Sequence, residues 1–255
     1  MTVSINPGIF REYDVRGIVG EDLSEETVEL LGKGFGTYAQ ADGYREVVVC
    51  RDNRPSSSAF RDALARGLRA AGCEVLDVGE QPTPVFYFSM HEYGKQAGVM
   101  ITGSHNPPQY NGFKLYCGHG TIYGDEIQKL REIVESGEFS SGEGKESSAS
   151  PQLVYMGHIL KDIDMIDRPL KVVVDAGNGV GGKVAPKLLR EIGCEVIELY
   201  CELDGNFPNH FPDPTVPDNL SDLKDTVLRE GADLGIAFDG DADRLGAVAD
   251  NGDIV

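Results

Sequence analysis

Twice in this chain a charged residue and three valines lead, through a stretch of helical periodicity, to Gly-Cys-Glu-Val: Glu46–Val49 to Gly72–Val75, and Lys171–Val174 to Gly193–Val196. Short β-branched runs bounded by turn residues read as buried strands. Strands alternating with amphipathic helices call for βαβ units on a mainly parallel sheet. The next strands also match in kind: Gly98–Thr102 runs into Gly103-Ser104-His105, and Leu234–Phe238 runs into Asp239-Gly240-Asp241. The first strand-to-strand connection is longer by about four residues, a difference one loop absorbs. Internal duplication is the preferred reading, and the alternative is that any two βαβ units look alike. Under duplication the two most reactive loops occupy equivalent places at the C-terminal ends of strands, where open α/β sheets bind ligands.

Around this repeat, Ser24 can cap a helix whose buried face is Val28, Leu31, Phe35 and Ala39, with Glu25 and Glu26 in its first turn. Ser58–Ala71 reads as a helix stopped by Gly72, Cys73–Val78 as a strand, Pro82–Tyr93 as a helix, and Leu153–Ile166 as another. The stretch SGEFSSGEGKESSASP is polar and rich in Gly and Ser. The expected architecture is α/β: two similar domains with mixed, mainly parallel sheets, at 1–135 and 152–255, joined by a linker or mobile loop at 136–151.

Composition narrows the partners. A net charge of -19 argues against nucleic acid, which needs clustered Lys and Arg to displace counterions. No apolar run approaches the ~18 residues of a membrane span, and Met1 to Ile9 lacks a signal pattern. The five cysteines form no Cys-x-x-Cys pair, which fits reduced thiols in a cytoplasmic protein. A phosphate ester could bind so acidic a chain only where a few cations, a metal or backbone N–H groups reverse the local field.

The loop Thr102-Gly103-Ser104-His105-Asn106-Pro107-Pro108 can expose a serine hydroxyl among backbone N–H groups. Serine is a weak nucleophile without help, which His105 or Lys114 could give. An ordinary Gly/Ser/Asn/Pro turn has the same composition. The loop Asp239-Gly240-Asp241-Ala242-Asp243-Arg244 sets three carboxylates at every second position after an apolar strand. Such like charges call for a cation, and oxygen-only ligands suit Mg²⁺. Arg244 could then grip a phosphate. A solvated acidic turn is the bland alternative. An EF-hand would want Gly at Arg244 and Glu at Asp250, so it is rejected. A haloacid-dehalogenase-type phosphatase would use Asp239 as nucleophile, yet little chain follows to supply its other motifs. Further cations stand in turn-like settings: Arg16, Arg51, Arg54 and Lys114.

Five segments in order resemble the α-D-phosphohexomutases, and most closely the bacterial phosphomannomutase/phosphoglucomutase branch: FREYDVRG at 10–17, TGSHNP at 102–107, NGFK at 111–114, GNFPNHFPDP at 205–214 and DGDADR at 239–244. The resemblance implies that Ser104 carries the phosphoryl group and that Asp239, Asp241 and Asp243 hold Mg²⁺ with the Ser104 phosphate. It implies that Arg16 and Lys114 assist proton transfer, and that His105 and Arg244 border the phosphate. The implied reaction interconverts hexose 1-phosphate and hexose 6-phosphate through a bisphosphorylated sugar, glucose 1,6-bisphosphate serving as activator and intermediate. Ala242 stands where this loop often has Gly, harmless at negative φ and strained at positive φ. Family members resemble four-domain enzymes, so the chain is expected to be an N-terminal portion with little turnover, its partners being a hexose phosphate and the C-terminal domains. A sugar-phosphate- or metal-binding fragment without turnover is the remaining alternative.

Overall fold

The computed structural model describes residues 5–163 and 168–255. In chain order its elements are β1 (Val15–Ile18), α1 (Glu25–Ala41), β2 (Glu46–Arg51), α2 (Ser57–Ala70), β3 (Glu74–Glu80), α3 (Thr83–Glu92), β4 (Ala97–Ile101), β5 (Tyr110–Cys117), β6 (Gly120–Thr121), α4 (Asp125–Ser136), β7 (Glu146–Ser148), α5 (Gln152–Asp162), β8 (Lys171–Asp175), α6 (Ala185–Glu191), β9 (Glu195–Leu199), α7 (Ser221–Glu230), β10 (Leu234–Phe238) and β11 (Leu245–Ala249). The helix expected over Leu153–Ile166 ends at Asp162 as α5, and its last expected residues, 164–166, lie outside the described ones.

The chain divides into two compact units. The first comprises Met1–Glu80, Phe86–Gly103 and Gln109–Ser150; the second comprises Gln81–Val85, Ser104–Pro108 and Pro151–Val255. Two short stretches of the first half of the sequence therefore belong to the second unit, where a linear reading placed one crossing, at 136–151.

The first unit is built on a sheet in the order β1-β5-β4-β2-β3-β7, with β6 on β5. Strands β2, β3 and β4 run parallel, and β5 runs antiparallel to β4 and β1. Val47, Val49, Val99 and Ile101 face a cluster with Leu31, Phe35 and Leu64, and Val48, Cys50 and Met100 pack on the opposite face with Phe86 and Met90. Burial on both faces explains the unbroken apolar runs of β2 and β4. Ser24 caps α1 by accepting from the Thr27 amide. The segment expected to be a linker or mobile loop is tied down: Gly142 and Gly144 donate to the Ala70 and Arg69 carbonyls, and β7 pairs in parallel with β3. Backbone pairing to an open sheet edge needs no apolar side chains, so composition did not report it.

The second unit has a four-stranded sheet in the order β11-β10-β8-β9, with β8, β9 and β10 parallel and β11 antiparallel to β10. This repeats β5-β4-β2-β3 strand for strand, orientation included, as the duplicated sequence pattern predicts. All five cysteines are free thiols, and no helix among the described residues is long and apolar enough to cross a membrane.

Candidate phosphoryl and metal site

The serine loop leaves β4, a strand buried at every position. Its last residue in the first unit, Gly103, donates its amide to Asp52 Oδ2 at 3.3 Å. Asp52 in turn accepts from Ser57 Oγ at 2.5 Å and from Arg54 Nε at 3.1 Å, and Arg54 Nη1 reaches the Tyr110 carbonyl at 3.0 Å. Asp52 and Arg54 are 1% and 2% exposed, so this is a buried ion pair with its hydrogen bonds satisfied, the condition under which a buried charge is tolerated.

In the second unit Ser104 is buried, and its Oγ donates to Asp239 Oδ2 at 2.8 Å. Asp239, at the end of β10, also uses Oδ1 to accept the amides of Asp243 at 3.0 Å and Arg244 at 3.1 Å. These bonds curl the loop back on its first residue, and one oxygen from each of Asp239, Asp241 and Asp243 falls within 4.8 Å of the others. Asp239 and Asp241 are fully buried, while Asp243 is exposed. Burial, followed by the Asp241 and Asp243 charges, pushes the Asp239 carboxyl well above the usual carboxylate range against the pull of the Ser104 hydrogen bond. A divalent cation would relieve that repulsion. Three carboxylates beside a serine hydroxyl form the hard-oxygen set that Mg²⁺ prefers, with coordination positions left for water or phosphate oxygen.

Thr83, at the start of α3, holds the middle carboxylate. Its hydroxyl donates to Asp241 Oδ2 at 2.6 Å and its amide to the Asp241 carbonyl at 2.9 Å. Nothing in the local sequence flags this residue, because its partner lies 158 positions away. Arg244 Nη1 lies 2.7 Å from His105 Nδ1, and Ser104 Oγ lies 3.3 Å from the same nitrogen. A guanidinium only donates, so His105 Nδ1 is the acceptor in this contact. Asp213 adds a carboxylate that sequence reading did not single out. Burial pushes it up, but the Thr215 hydroxyl and amide, with Arg244 nearby, hold it below the ordinary range.

Ser104, Asn178, Tyr200, Phe207 and Ala242 are the described non-glycine residues at positive φ, and all belong to the second unit. Ala242 has φ 58°, so the strained alternative is the one the chain adopts. Left-handed backbone outside glycine persists where surroundings over-determine it, a recurrent feature of functional loops.

The second unit thus brings together Ser104, His105, Asp239, Asp241, Asp243 and Arg244. Arg16 and Lys114 stand on the first unit's sheet. Arg16 is opposite Gly112 in the β1/β5 ladder, which puts it on the same face as Lys114, diagonally across the strands. Arg16 is paired with Asp14.

Comparison with known proteins follows the same division. Residues 7–141 match phosphoglucomutase/phosphomannomutase alpha/beta/alpha domain I, and residues 154–252 match domain II. The phosphomannomutase/phosphoglucomutase of Pseudomonas aeruginosa is 49% identical over 247 residues, which cover 97% of this chain and 53% of that protein. The phosphoglucomutase of Neisseria gonorrhoeae is 44% identical over 254 residues, or 99% of this chain and 55% of that protein. The crystal structure of a phosphoglucomutase/phosphomannomutase family protein from Burkholderia thailandensis superposes with a TM-score of 0.95 at 44% identity, covering 99% of this chain and 57% of that one. The chain spans about half the length of the curated relatives it matches. On both domain matches and on identity across its whole length, the chain belongs to the phosphoglucomutase/phosphomannomutase family.

Proposed function

We propose that this chain carries the phosphoryl-transfer centre of a mutase that interconverts hexose 1-phosphate and hexose 6-phosphate, with mannose, glucose or both as the sugar. The observation that carries the reading is the 2.8 Å hydrogen bond from Ser104 Oγ to Asp239, inside a cluster of three carboxylates. Phospho-Ser104 gives its phosphoryl group to a sugar hydroxyl: the Oγ–P bond breaks as the sugar O–P bond forms. The bisphosphorylated sugar then returns its other phosphoryl group to Ser104. Positioning and charge neutralisation dominate such transfers.

Asp239, Asp241 and Asp243 would hold Mg²⁺ together with Ser104 and its phosphate, and the ion supplies positive charge where the transferring oxygens become more negative. Thr83 fixes the orientation of Asp241. Arg244 and the His105 ring would donate to phosphate oxygens. The resemblance of their segments to the family assigns Arg16 and Lys114 to assisting proton transfer. Sugar selection would rest with parts of the longer relatives that this chain does not span. Asp239 is a poor candidate for a phosphatase nucleophile, because both of its carboxylate oxygens already accept hydrogen bonds.

Incubation with glucose 1,6-bisphosphate and Mg²⁺, followed by mass spectrometry, tests this. Phosphate on Ser104 is expected, with none on a Ser104→Ala variant. Label on Asp239 would replace the mutase reading with the phosphatase one, and binding without label on either residue would favour a non-catalytic role.

A further inference from the structure

Outside the phosphoryl and metal site, the second unit contains an acid–base pair, a half-buried His210 on a buried Asp175, that the proposed chemistry does not use. His210 Nε2 lies 3.0 Å from Asp175 Oδ2 and 3.2 Å from Oδ1, while Nδ1 lies 2.9 Å from the Phe211 carbonyl oxygen. Both partners are acceptors. A neutral imidazole has one N–H and would set a lone pair against oxygen on one side, whereas an imidazolium satisfies both contacts. Asp175 is fully buried at the end of β8 and also accepts the Gly177 amide at 2.8 Å. A carboxylate so placed needs a cation.

The pair holds the loop after β9 on the turns that form the metal site. One residue beyond Phe211, Pro212 fits where both neighbours lack a side chain: a Cβ on Gly177 would lie 2.9 Å from Pro212 Cβ, and a Cβ on Gly240 would lie 3.3 Å from Pro212 Cγ. Asn209 Nδ2 donates to Asn178 Oδ1 at 2.7 Å, and the Val180 amide donates to the Gly240 carbonyl at 3.1 Å. Tyr200 and Phe207, earlier in this loop, are held at φ 51°, so the loop requires an anchor to keep its shape.

We propose that His210 is a positioning residue for the metal loop: as an imidazolium bridging Asp175 and the Phe211 carbonyl, it clamps the turn at 209–214 against Gly240 and so fixes the curl that gathers the three aspartates. The metal assignment above is what gives this clamp its purpose. The titratable groups that face the ring are Asp175 from β8, Tyr200 edge-on with ring centroids 5.6 Å apart, and Asp222 of α7, which accepts the Tyr200 hydroxyl at 2.7 Å. Burial pushes the ring toward the neutral form. Asp175, with the Phe211 carbonyl and Asp222, outweighs this and leaves the pKa above its ordinary value. The clamp is therefore complete below the unfolded-state value of about 6.5 and is released as pH rises through the higher folded-state value.

Nitrogen NMR of histidine-labelled protein reads the ring directly. Both His210 nitrogens should be protonated at about pH 6.5, with a midpoint above the ordinary value that falls back on Asp175→Asn. Amide hydrogen exchange reads the consequence. His210→Gln, which keeps a donor but loses the charge, should speed exchange of the Asp243 and Arg244 amides about tenfold, leaving Val48 and Val49 of β2 unchanged. A wild-type midpoint at or below the ordinary value, or equal exchange in variant and wild type, overturns the proposal. The wild-type titration decides it even if a variant fails to fold. Neither readout uses Mg²⁺ or a sugar phosphate, so failure here is distinct from failure of the proposed activity.

Discussion

Thr83 holds Asp241 at two points, by its hydroxyl to Oδ2 at 2.6 Å and by its amide to the carbonyl at 2.9 Å. The contact orients a buried carboxylate in the middle of the acidic loop, and where such a carboxylate holds a metal, outer partners of this kind tune its affinity. Thr83→Val, which keeps the shape and removes the hydroxyl, should weaken Mg²⁺ binding by about tenfold or more in calorimetry. Thr83→Ser should stay within about twofold of wild type, since it retains the donor. Equal affinity for Thr83→Val would mean that the backbone contact alone sets the orientation.

Asp239 predicts opposite pH responses with and without metal. Its folded-state pKa is raised above the ordinary value of 3.8 by burial and by its two acidic neighbours. The native state therefore binds more protons than the unfolded one between those two values, and the metal-free protein loses stability as pH rises through that window. Mg²⁺ reverses the trend because it binds the ionised form. Thermal unfolding at about pH 5.5 and about pH 8, with and without Mg²⁺, should show a larger metal-induced rise at the higher pH. A rise that is equal at both, or larger in acid, contradicts the assignment.

Ala242→Gly should stabilise the protein. A left-handed alanine costs roughly 1–2 kcal/mol, and the added freedom of glycine in the unfolded chain returns about 0.4–1 kcal/mol of that. The net is a gain of up to about 1.6 kcal/mol, read as a higher midpoint of thermal unfolding. A lower midpoint would show that the Ala242 methyl, 3.3 Å from where a Cβ on Gly181 would sit, contributes more by packing than its backbone loses by strain.

Gly103→Ala tests the buried ion pair. A Cβ at Gly103 would fall 2.5 Å from Arg54 Cζ, and the guanidinium cannot yield without leaving Asp52 or the Tyr110 carbonyl. A loss of about 1–3 kcal/mol is expected from overpacking alone, measured by denaturant unfolding followed by a probe in the first unit. No loss would mean that Arg54 has another low-energy position.

The strands and the two loops were legible in the sequence because their signals are local. Valine runs buried on both faces declare themselves, and a serine or an acidic triplet directly after such a run stands at the end of a strand. Thr83 was hidden because a threonine at the start of a helix reads as ordinary helix chemistry, and its acidic partner comes from the far half of the chain. The His210–Asp175 contact was hidden for the same reason across 35 positions. β7 escaped because edge pairing is made by backbone and leaves no apolar periodicity. For Ala242 the sequence posed the right alternatives, and only the tertiary curl around Asp239 decides the sign of φ.

The second unit takes Gln81–Val85 and Ser104–Pro108 from the first half of the chain. Its frontier is thus crossed several times by the polypeptide, although a reader of the sequence would draw it once, within 136–151. Recombination at that single point, or expression from Pro151 onward, would deliver the acidic loop without its serine and without the threonine that steadies it. The second unit is not a single heritable cassette: its serine and its threonine are encoded well before Pro151, and its acidic loop after it.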